Sequence, residues 1–129
     1  MSSIPFTSVG TGELLPHLRA DLRRAQYSLI MVCPWIDEYF AEEVCKASIA
    51  ELSEVKVLMR PESAVEIEVW PHMLAAVRRI KERFPSAQVR TLERLHAKVI
   101  VLDDAVAFIG LRSWRRPLPS SSVRRKSTL

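Results

Sequence analysis

Apolar residues recur at spacings of three and four over residues 11–25, then crowd into short unbroken runs, and the two patterns alternate down the chain. Leu15, Leu18, Leu22 and Ala25 form one stripe with Arg19, Arg23 and Arg24 on the other side, which predicts an amphipathic helix that Thr11 is placed to cap. Tyr27 to Cys33 follows as a run of strand length and predicts a buried strand ended by Pro34. Asp37 is placed to cap a second helix whose inward stripe is Phe40, Val44 and Ala47. Val55 to Met59 predicts a second strand, short and β-branched enough to be buried.

After Arg60-Pro61 and a polar stretch, Pro71 suits the first turn of a third helix. Leu74, Val77 and Ile80 face inward in this reading, Arg78, Arg79, Lys81 and Arg83 largely outward, and Pro85 stops the helix. Ala87 to Leu92 predicts a third strand. Two more, 97–102 and 105–109, are joined by a tight turn at Asp103-Asp104 and make a hairpin. The alternation predicts an α/β fold in a single domain over residues 1–110, a mixed β-sheet flanked by helices. Such sheets hold ligands at strand ends. That rule nominates Pro34, Trp35 and Asp37 after the first strand, and Arg60 after the second, as walls of a site. Their simpler readings are a packing residue for Trp35, a helix cap for Asp37 and a solvated charge for Arg60.

Composition narrows the setting. The chain has 129 residues, enough for one core. Its longest apolar run, around Leu29 to Ile36, is too short to cross a bilayer and is broken by Pro34. Met1 to Phe6 lacks the basic and apolar regions of a secretory signal, so the expected location is cytoplasmic. Cys33 and Cys45 are too few and too far apart for a metal site or a disulfide framework and read as core residues. His17 has no partner at ligand spacing, and His72 reads as a surface residue. The net charge of +4 conceals an asymmetry, because Arg112, Arg115, Arg116, Arg124, Arg125 and Lys126 stand without an acid after Gly110, leaving residues 1–110 at −2. Residues 111–129, rich in Arg, Ser and Pro, read as a disordered basic tail. The abrupt change of composition also fits a replaced carboxyl terminus, such as a shifted reading frame produces.

The hairpin carries the chemistry. His96 and Lys98 lie two apart on the predicted strand and so share a face, which places an imidazole beside a positive charge. Attack on an anionic ester requires that pairing. His96, Lys98, Asp103 and Gly110 together form the pattern HxKxxxxD followed after six intervening residues by Gly, which resembles the signature of the phospholipase D superfamily.

The resemblance implies a phospholipase D-like fold and a phosphodiesterase that needs neither metal nor cofactor. One neutral imidazole attacks phosphorus to give a phosphohistidine, and a second histidine protonates the departing oxygen. Carried onto this chain, His96 is nucleophile or acid, Lys98 binds the non-bridging oxygens, and Asp103 supports by orienting its neighbours. The chain holds one copy of the motif, so the resemblance implies a homodimer in which His96 comes from each subunit. Nucleic acid is the expected substrate, phospholipid the alternative. Where the family usually continues with Ser, any residue and Asn, this chain has Leu111-Arg112-Ser113, with Ser113 a partial substitute among the substrate-binding groups. That departure and the basic tail support a competing expectation, a catalytically impaired domain for nucleic-acid binding or assembly.

Overall fold

The computed structural model describes residues 14–110 of the chain. Thr11, Ser113 and the tail over 111–129 lie outside the described residues. Within them the order is α1 (Leu14–Arg24), β1 (Ser28–Val32), α2 (Glu38–Ala47), β2 (Glu54–Met59), α3 (Trp70–Arg83), β3 (Gln88–Thr91), β4 (Val99–Leu102) and β5 (Val106–Ile109). A short 3-10 turn, Glu62–Ala64, follows β2. The five strands form one mixed sheet in the order β3-β2-β1-β4-β5. β1, β2 and β3 are parallel, while β4 pairs antiparallel with both β1 and β5. The expected α/β class with a mixed sheet is therefore the architecture observed.

α2 and α3 lie on one side of this sheet. β1-α2-β2 and β2-α3-β3 step across the sheet in one direction, and right-handed crossovers of that kind put both helices on one face. α2 packs against α3, and α1 against α2. Strand burial follows from this arrangement. Leu29, Met31, Val55, Val57, Met59, Ile100 and Leu102 are buried beneath the helices, whereas Lys56 between two of them is exposed. β2 is thus an alternating strand, open on one side, and not the wholly buried one its apolar run suggests.

Two further expectations are corrected. The buried stripe of α3 is Met73, Ala76 and Ile80, with Leu74 39% exposed. The stripe through Leu74 would carry Arg78 and Lys81 inward, whereas the one through Met73 continues into buried Phe84 without meeting a charge. β1 starts at Ser28, leaving Tyr27 exposed, and β3 ends at Thr91, leaving Leu92 exposed. Cys33 and Cys45 are buried and are not joined in a disulfide, as expected of core residues, and burial pushes the Cys45 thiol above its ordinary value. Among the described residues, no helix is long and apolar enough to cross a membrane.

Candidate active site at the strand ends

The strand order creates a crossing. β3 runs parallel to β2 and ends at the carboxyl edge of the sheet, while β4, beyond β1, must start from that same edge because it is antiparallel. The connection of residues 92–98 therefore passes over the ends of β2 and β1. It spans three strand spacings, about 14 Å, with residues that could extend beyond 20 Å. The slack is taken up at Glu93-Arg94, where the Leu95 N–H returns to the Leu92 carbonyl at 3.3 Å, and the Leu95 side chain is buried. His96 follows at once and is exposed at the point where the chain crosses.

Arg60, the first residue after β2, meets this connection from below. Its Nε donates to the Leu95 carbonyl at 2.8 Å, and one of its terminal NH2 groups lies 3.1 Å from His96 Nδ1. Its guanidinium also sits 4.8 Å from the ring centre of Trp35, which follows β1. Lys98 donates to the His96 carbonyl at 3.4 Å. The two parallel strands and the antiparallel one thus each deliver a group to one place: Trp35, Arg60, and His96 with Lys98. Such a gap, where the connections leave a central strand in opposite directions, is where open α/β sheets hold ligands.

Several site expectations need correction. β4 begins at Val99, so His96 and Lys98 precede the strand and are not part of it. The Gly110 N–H to Lys98 carbonyl bond, at 2.9 Å, extends the ladder by one step and sets Gly110 beside Lys98. The cation touching the imidazole is Arg60, nominated as a wall of a site with a solvated charge as its simpler reading; Lys98 is bonded to the backbone of His96. Its signal in the sequence was its place directly after an apolar strand.

Asp103 is separated from this cluster. It stands five residues beyond Lys98, roughly 16 Å along the hairpin, at the opposite end of β4. There its carboxylate accepts the backbone N–H groups of Gln26, Tyr27 and Ser28 at 2.9, 2.8 and 2.9 Å. Those bonds, Ser28 first, then Gln26 and Tyr27, hold its pKa below the ordinary carboxylate value. Asp103 therefore fastens the hairpin to the turn between α1 and β1, and the neighbours it orients are backbone groups there, not His96 or Lys98.

Pro34 is buried, and Asp37 caps α2 by accepting the Phe40 N–H at 3.0 Å, so both have structural roles. A groove beside α2 is lined by Trp35, Asp37, Glu38, Glu42, Glu43 and His72 among others. Two of its carboxylates are already paired, Glu42 with Arg79 and Glu43 with Arg19, and Asp37 caps α2. Among the described residues, no three His, Cys, Asp or Glu side chains are grouped to hold a metal ion. No protein-family model matches the chain, and no curated protein matches its sequence.

Proposed function

We propose that the chain is a phosphodiesterase of the phospholipase D type that works without metal, acts on nucleic acid, and does so as a homodimer. The observation that carries this reading is the cluster at the strand ends: an exposed imidazole bonded to a guanidinium, with an ammonium group on the same short segment. A phosphodiester resists attack because its charge repels nucleophiles and its leaving alkoxide is poor. Arg60 and Lys98 offset the first obstacle by holding the non-bridging oxygens. His96 answers the second in two steps: one ring displaces the first alkoxide to form a phosphohistidine, the other gives that alkoxide a proton, and water then releases the phosphate. The second ring comes from a second copy, because the chain has one such motif.

Labelled single-stranded DNA, double-stranded DNA and RNA, and phosphatidylcholine vesicles, incubated with the protein in excess chelator, test the proposal. Cleavage of a nucleic acid is expected, lost in His96→Ala while circular dichroism stays native. Cleavage of the lipid alone would transfer the reading to phospholipid. Cleavage of none, with retention of nucleic acid that weakens steeply as salt rises, would favour the binding or assembly domain suggested by Leu111 and the basic tail.

A further inference from the structure

The bond between Arg60 and His96 has a direction. A guanidinium can only donate, so His96 Nδ1 must accept with its lone pair, and the neutral ring then carries its proton on Nε2. Arg60 is itself held by two other contacts, its Nε on the Leu95 carbonyl and its plane near the face of Trp35. We propose that Arg60 is a positioning residue that holds His96 in its Nε2–H form and turns Nε2 away from the protein, as the nitrogen that meets substrate.

The catalytic meaning of this arrangement rests on the phosphodiesterase reading; the tautomer does not. In a symmetric dimer both rings begin as Nε2–H donors, yet the reaction needs one bare Nε2 as nucleophile. A phosphate within reach of Arg60 competes for the same NH2 group. Drawn onto the phosphate, that guanidinium leaves Nδ1, and the ring can lose its Nε2 proton to water and gain one at Nδ1 without change of charge. The ring so released is the nucleophile. The ring that keeps its Arg60 bond keeps its Nε2 proton and donates it to the departing alkoxide.

Nitrogen NMR of the full chain labelled with ¹⁵N-histidine, in mildly alkaline solution and without substrate, reads the tautomer directly. Wild-type His96 is expected as a single Nε2–H form, and Arg60→Met, which keeps the apolar stem but has no donor, as a mixture of both forms. A wild-type ring protonated on Nδ1, or an Arg60→Met ring identical to wild type, would overturn the proposal. Should Arg60→Met fail to fold, the wild-type spectrum alone still decides. In turnover, Arg60→Met is expected to lower kcat roughly 10- to 100-fold with a smaller change in KM, and Arg60→Lys to restore part of it. A change in KM alone would reduce Arg60 to a binding group. If the wild-type protein cleaves nothing, the phosphodiesterase reading fails and the NMR result still judges the tautomer.

Discussion

Asp103 shows how one residue of a sequence pattern can serve the frame, at the opposite end of β4 from His96 and Lys98. It adopts φ 55° and Asp104 φ 56°, the left-handed pair that a tight hairpin turn needs, and the Ala105 N–H closes the turn on the Leu102 carbonyl at 2.9 Å. Asp tolerates that region better than most residues, Gly better still. Asp104→Gly is therefore expected to stabilise the fold by about 1 kcal/mol, measured by urea unfolding. The three N–H groups on Asp103 lower its folded pKa below the ordinary value near 3.8. A carboxylate shifted in that direction contributes stability above its unfolded pKa and loses it as pH falls through the folded value. Unfolding curves should accordingly show wild type losing, below about pH 4, an advantage that Asp103→Ala never has, and the variant melting several degrees lower at neutral pH. Equal melting temperatures would show that the turn holds without this carboxylate.

At the scale of elements, the pattern of the sequence predicts existence and type well, because caps and stripes are local physics. Asp37 caps α2 where it was expected, and Asp37→Ala should cost about 1 kcal/mol. Facing is harder to read, since it is decided by what packs opposite. In α3, Leu74 has the larger side chain than Ala76, yet Ala76 is buried and Leu74 is 39% exposed. The two readings of that helix separate cleanly by mutation. Met73→Ala should destabilise by roughly 2–5 kcal/mol and Leu74→Ala by no more than about 0.5 kcal/mol, compared by chemical denaturation. The site divides in the same way. His96 and Lys98 were visible as a spacing, whereas Arg60 is 36 residues from His96 and meets it only because β2 and the crossing segment share an edge.

For the whole molecule, the helices lie together on one face of the sheet and the candidate site lies at its rim. Ile30, Val32, Val99 and Val101 alternate with the covered positions and are only half-buried. The proposed dimer has to bring two rims together, and with residues 14–110 carrying an exposed His96, that approach meets no obstruction from the side chain's own burial. Sedimentation equilibrium at rising protein concentration should give a dimer, and mixing His96→Ala with wild type should lower activity more than in proportion to dilution. Strictly proportional loss would mean that each copy acts alone.

The crossing of residues 92–98 leads to one more result. It is tethered at Leu92, whose N–H bonds the Met59 carbonyl, at Leu95 by Arg60, and at Lys98 by Gly110. Like a bridge deck hung between two banks, it owes its shape to its length as much as to its composition. One residue inserted at Glu93-Arg94 would leave every strand pairing intact while moving the imidazole off its seat, so a single extra codon should part foldedness from turnover.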